Sequence, residues 1–171
     1  MTAKAASFVE VYNAHARDVY RFALYLSGDR AVAQDITSET FLRVWMAEQP
    51  VRMTSVKAWL FVIARNLFRH ELRRLRRREP LDVEMAAAVS VEADAEVREE
   101  CERVCRSLAE LPEVDRSAVL MRVGGLAYEE IAGMLGVSVA AAKVKVHRAR
   151  LRLAKANPGG IGHEHFEKRH S

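Results

Sequence analysis

Apolar residues recur at helical spacing along almost this entire chain, and the pattern breaks only where glycine or proline falls. Residues three and four positions apart share one face of an α-helix, and an apolar face needs a partner to cover it. Phe8, Val11, Tyr12, Val19, Phe22 and Leu26 form a first stripe, interrupted at Gly28-Asp29. Ile36, Thr40 and Val44 mark a second helix from about Arg30 to Met46, ended by Gln49-Pro50. A third begins near Ser55 and sets Leu60, Ile63, Ala64, Leu67 and Leu75 inward. Pro80 ends it, because proline lacks a donor and disfavours helix in the residue before it. Val97, Cys101, Val104, Leu108 and Leu111 make a fourth, broken at Leu111-Pro112. A short helix over Glu113–Val123 closes at Gly124-Gly125, and two more follow. No segment alternates as a strand would, so the predicted fold is all-α.

Charge divides this run of helices. Arg65–Arg78 carries seven arginines and one acid, Glu79–Glu102 nine acids and one base, and Lys143–Lys155 six bases and no acid. Two separated basic surfaces point to two contacts with a polyanion. The stretch from Leu81 to Ala95 has no strong period and reads as a flexible acidic linker. The expectation is two small helical domains, residues 1–80 and 96–156, with a flexible tail over 157–171. The length of 171 residues, half of them hydrophobic, allows both cores. The acids Asp82, Glu84, Glu92, Asp94, Glu96, Glu99, Glu100 and Glu102 are expected to compete with DNA for the basic faces of the free protein. No apolar run is long enough to cross a membrane, and no signal peptide is visible after Met1. With two cysteines, the chain is expected in a reducing cytoplasm.

The strongest local signal lies between Leu126 and Leu153. Tyr128–Leu135 is a short helix, Gly136 suits a tight turn that needs positive φ, and Ser138 is a good N-cap. Val137 can plug the gap between the helices. The next helix buries Val139, Ala142, Val146, Ala149 and Leu153, and its other faces carry Lys143, Lys145, His147, Arg148, Arg150 and Arg152. Such a helix-turn-helix can enter a major groove, with early residues at base edges and later bases on phosphates. The competing reading is a plain helical hairpin.

Upstream, Arg65, Arg69, Arg73 and Arg76 fall at helical steps on one face. Trp59, Phe61, Asn66, Phe68 and His70 lie beside them, a mixture suited to unpaired nucleic acid. Trp59 reads equally as a core residue.

At this point the sequence resembles the extracytoplasmic-function sigma factors, from about Phe8 to Ala154. Asp35-Ile36-Thr37-Ser38-Glu39-Thr40-Phe41-Leu42-Arg43-Val44-Trp45 is similar to that family's polymerase-binding helix. Trp59-Leu60-Phe61-Val62-Ile63-Ala64-Arg65-Asn66 is similar to its promoter-melting segment. Leu111-Pro112, Arg116, Tyr128-Glu129-Glu130-Ile131-Ala132 and His147-Arg148-Ala149-Arg150 are similar to its region four.

The resemblance implies that Asp35, Glu39, Phe41, Leu42 and Arg43 bind the clamp coiled coil of the largest subunit of core RNA polymerase, with a second contact at the flap. It implies that Met53, Thr54 and Ser55, in the loop from Gln49 to Val56, act on downstream promoter DNA with Trp59, Arg65, Asn66, Arg69, Arg73 and Arg76. Upstream promoter DNA falls to Ser138, Ala141, Lys143, Val144, Lys145 and Arg148. An anti-sigma factor is a further implied partner, and no cofactor is implied.

Two departures stand out: Ser38 replaces the usual glutamine, and Ala140–Lys145 lacks the usual two hydroxyls and a guanidinium. Readout by that helix is therefore expected to lean on thymine methyls and DNA shape, with Lys143, Lys145 and Arg148 on phosphates or a guanine.

Two other classes compete. A free-standing dimeric helix-turn-helix regulator explains the second domain and leaves the basic stripe of the first unused. A metal or catalytic protein is suggested by Cys101 and Cys105, one turn apart, and by His163, His165 and His170. Both cysteines, however, continue an apolar face, where cysteine packs as a small hydrophobe. No phosphate loop and no nucleophile–base pattern appears, so the chain is not expected to be an enzyme.

Overall fold

A computed structural model describes residues 3–47, 55–77 and 95–158. Those residues form seven helices: α1 (Ala3–Ser27), α2 (Arg30–Met46), α3 (Val56–Arg77), α4 (Ala95–Ala109), α5 (Glu113–Val123), α6 (Tyr128–Leu135) and α7 (Val139–Ala156). Each belongs to one of two units, Met1–Ala88 and Val89–Ser171. No strand occurs among the described residues.

In the first unit, α1 packs on both α2 and α3. Val19, Phe22, Ala23 and Leu26 of α1 meet Ala33, Ile36 and Phe41 of α2 and Leu60, Phe61, Ala64 and Phe68 of α3 in one buried core. Phe22 and Phe61 stack at 4.4 Å between ring centres. The α1–α2 corner is tight. Gly28 adopts φ 71°, a value costly for a residue with a side chain, and Asp29 Oδ1 accepts the Val32 N–H at 3.0 Å to cap α2. Ser55 Oγ caps α3 in the same way, accepting the Ala58 N–H at 3.1 Å. The sequence reading of α3 needs one correction. Leu75 is 46% exposed, because α3 runs on past the core with its apolar side no longer covered.

In the second unit, α7 is the central element, packed by α4, α5 and α6. Its seat is small: Ala142, Val146 and Ala149 are buried, while Val139 and Leu153 are only half-buried. Facing them are Leu108, Leu111, Val119, Met121, Leu126 and Ile131. The Leu111-Pro112 break is closed by the Arg116 guanidinium, which donates to the Leu111 carbonyl at 3.2 Å. Val97, expected on the apolar face of α4, is 58% exposed, one turn beyond the reach of the core. Glu96, Glu99, Glu100 and Glu102, counted above with the linker acids, lie on α4, and Glu100 pairs with Arg103. Asn157 is no tail residue: its N–H donates to Leu153 O at 3.0 Å to end α7, and its amide donates to Ser107 Oγ at 3.1 Å. Met53, Thr54, the loop from residue 48, the acids Asp82 to Asp94 and the tail histidines lie outside the described residues.

Candidate functional site

The α2 helix carries apolar residues all the way round. A helix of that kind is normally buried on every side, yet only one side of α2 is covered within its unit. Ala33, Ile36, Thr40 and Phe41 face α1 and α3, and Thr40 hides its hydroxyl by donating to Ile36 O at 2.7 Å. On the opposite face Asp35, Ser38, Leu42, Trp45 and Met46 succeed one another at steps of one to four and are exposed. Leu42 is 50% exposed and Met46 69%. Arg43 Nε donates to Glu39 Oε1 at 2.9 Å along this surface. Trp45 is propped edge-on against Phe8 at 5.1 Å, and exposed Tyr12 and Val9 of α1 extend the patch. Phe41 does not belong to it. Its ring is buried against Tyr12 at 4.8 Å and Phe8 at 6.4 Å, so it shapes the patch from beneath.

On α3 the exposed basic face holds the predicted Arg69, Arg73 and Arg76, and only Arg65 departs from the stripe. Arg65 is only 7% exposed and lies on the core side, because it shares a helical face with Leu60, Phe61, Ala64 and Phe68. The exposed face runs through Asn66, Arg69, His70, Arg73, Arg76 and Arg77. His70, Arg73, Arg74 and Arg77 line a shallow groove. Arg74 bonds Glu71 at 2.6 Å, which raises the guanidinium above its ordinary value. Trp59 is half-buried.

The helix-turn-helix has the local geometry its residues dictate. Gly136 adopts φ 66°, ψ 36°, the Val137 N–H donates to Ala132 O at 3.0 Å, and Ser138 Oγ accepts the Ala141 N–H at 3.1 Å. Glu130 reaches back to the Ala127 N–H at 2.9 Å and caps α6. Ala140, Lys143, Val144, His147, Arg148, Leu151 and Arg152 are exposed along α7, and Ala141 is half-buried. Lys143 and Arg122 lie over the Tyr128 ring at 5.7 and 4.8 Å from its centre. Lys145 is half-buried. Its ammonium turns back to Asp115 of α5, at 3.4 Å.

The family model for Sigma-70 region 2 matches residues 11–78, and that for Sigma-70 region 4 matches residues 102–153. The ECF RNA polymerase sigma factor SigM of Bacillus subtilis is 30% identical over 159 residues, which cover 91% of this chain and 98% of that protein. The chain belongs to the ECF sigma factors. SigE of Mycolicibacterium smegmatis is 33% identical over 156 residues, with 86% of this chain and 60% of that longer relative covered. Among solved structures, the sigma factor RpoE of Bartonella quintana, in complex with the anti-sigma factor NepR, is similar with a TM-score of 0.70 and 26% identity, over 90% of this chain and 98% of that one. An ECF sigma factor directs RNA polymerase to promoters, and its region 4 binds DNA.

Within this sigma factor the sequence missed the apolar breadth of the α2 patch. Trp45 stood in the quoted motif without a role, Met46 went unassigned, and Tyr12, read as part of the apolar stripe of the first helix, is 45% exposed. The available signal was that α2 has too many apolar residues for one covered face. Asp115 was also missed, since one acid in the first turn of a helix looks like an ordinary dipole partner. Cys101 and Cys105 form no disulfide among the described residues and are half-buried on α4.

Proposed function

We propose that this sigma factor engages core RNA polymerase through the exposed face of α2, with Leu42, Trp45 and Met46 as apolar anchors and Asp35, Glu39 and Arg43 as a charged rim. The observation that carries this is a helix apolar on all sides but covered on one. Apolar side chains at the centre of a patch supply most of the binding energy, and rim charges mainly set orientation and rate. The family resemblance supports the clamp coiled coil of the largest subunit as the occupant, with the flap as a second contact.

Downstream promoter DNA falls to the exposed face of α3, with Asn66 available to base edges and Arg69, Arg73 and Arg76 to phosphates. Met53, Thr54 and Ser55 are assigned there with them by the resemblance. Upstream DNA falls to Ser138, Ala141, Lys143, Val144 and Arg148. Residues 81–95 serve as a linker between these domains. The chain acts as a regulatory subunit, without catalysis of its own, in the cytoplasm; no described helix is long and apolar enough to cross a membrane. An anti-sigma factor, the kind of partner RpoE has in its complex, is a partner of this chain as well. The dimeric regulator gives the α2 face no task.

Co-purification with core polymerase tests the reading. Glu39→Lys should weaken retention while circular dichroism stays unchanged, and full retention of both Glu39→Lys and Leu42→Arg removes α2 from the interface.

A further inference from the structure

Lys145 sits on the DNA-reading helix and Asp115 lies in the helix beneath it. Asp115 is 3% exposed. Its Oδ1 meets Lys145 Nζ at 3.4 Å, and its Oδ2 has no hydrogen-bond partner among the described residues. A buried carboxylate is costly to leave unpaired, and among the described residues Lys145 is the cation that pairs with it. The lysine is itself drawn in, with a side chain 25% exposed.

The seat of α7 explains why such a tether matters. The buried residues that key α7 into its unit are Ala142, Val146 and Ala149, two of them with a single methyl group. Small side chains interdigitate little, and a helix seated on them is weakly fixed against rotation about its axis. Lys145 follows exposed Val144 and precedes fully buried Val146, so it stands at the flank of the helix. A bond there to α5 resists rotation in a way that the central alanines do not. The base-reading positions Ala140, Ala141 and Val144 bring no hydrogen-bonding side chain, so what they read depends on how α7 is presented.

We propose that Lys145 is a positioning residue: Asp115 holds its ammonium, the pair sets the rotation of α7, and phosphate contacts are left to neighbours such as Arg148. The proposal rests on α7 being the DNA-reading helix.

Binding of the full chain to a short fluorescent duplex pool of random sequence, followed over a salt series, tests it. Each lysine or arginine on a phosphate contributes about 0.9 to the slope of log affinity against log salt. Lys145→Met should leave that slope unchanged. Asp115→Asn, close in shape, frees Lys145 to join the phosphates and should steepen the slope by up to about 0.9. The double variant Asp115→Asn/Lys145→Met should return to the parent slope, a pattern that mere loosening of the fold does not produce.

A slope reduced by about 0.9 in Lys145→Met overturns the proposal, as does an Asp115→Asn protein of unchanged helicity and unchanged slope. Arg148→Met separates the two levels. It should flatten the slope, and if it does not, the DNA reading of α7 falls and the tether's role falls with it. If Asp115→Asn fails to fold, Lys145→Met and Arg148→Met alone decide the outcome.

Discussion

The first unit is held by aromatic rings, and the second by aliphatic side chains around the small buried residues of α7, with polar ties beside them. Phe8, Tyr12, Phe41 and Trp45 interlock across α1 and α2, and part of that cluster emerges at the surface as Tyr12 and Trp45. Around α7, Asp115 ties α5 to Lys145 and Asn157 ties the end of α7 to Ser107 of α4, while Arg116 and Arg122 bond carbonyls of the adjoining loops and Glu130 caps α6. The difference follows the partners. An exposed apolar and aromatic face suits a protein surface, where area removed from water drives association. An exposed basic face on a rigid helix suits DNA, where counterion release dominates. Salt therefore separates the two: retention on polymerase through α2 should survive added salt far better than duplex binding through α7.

Core truncations give the largest effects. Phe61→Ala, which empties the stack on Phe22, should cost about 3–5 kcal/mol of stability, and Met121→Ala in the second unit about 2–5 kcal/mol. Urea denaturation ranks them, and a far larger loss at Met121 reverses the comparison between the cores. Leu42→Arg comes next. A central anchor is worth about 2 kcal/mol or more, roughly thirty-fold in affinity for core polymerase, with thermal stability unchanged because the side chain is already exposed. Gly136→Ala should destabilise the second unit by about 1–2 kcal/mol, since a methyl group is disfavoured at positive φ, and Ser138→Ala by about 1 kcal/mol through the lost cap. Thermal melts measure both.

The smallest effect concerns His15 on α1. Burial, reinforced by Lys57 and opposed by Asp18, holds its imidazole below the ordinary histidine value. The unfolded chain then takes up the proton more readily. Stability should fall as pH drops below about 6.5 toward the depressed folded value, and level off beneath it. His15→Gln should flatten that part of the profile, and an unchanged slope assigns it to other groups.

Helix existence was legible because glycine, proline and capping residues punctuate a strong apolar period. Gly28-Asp29, Leu111-Pro112 and Gly136 through Ser138 each mark a turn that the backbone then makes. Orientation about each helix axis was less legible. The arginine stripe was drawn through Arg65, but a residue beside Ala64 and Phe61 follows the core, and the accessible face begins at Asn66. Phe41 entered the polymerase-binding set through the family resemblance, and a matching motif does not say which of its residues the domain's own core covers. The tie between Lys145 and Asp115 was not legible because the two lie thirty residues apart, beyond any local pattern.

The central claim is that the apolar face of α2 couples this chain to polymerase, and that initiation at promoters depends on that coupling. Reconstituted run-off transcription tests it, with core RNA polymerase on genomic promoter fragments, comparing the parent chain with Leu42→Arg. The account predicts discrete transcripts that require the chain and disappear with Leu42→Arg, although the variant remains folded and binds duplex DNA as before. Transcripts that persist with Leu42→Arg, or a chain that binds an operator tightly by itself and adds nothing to initiation, would contradict it.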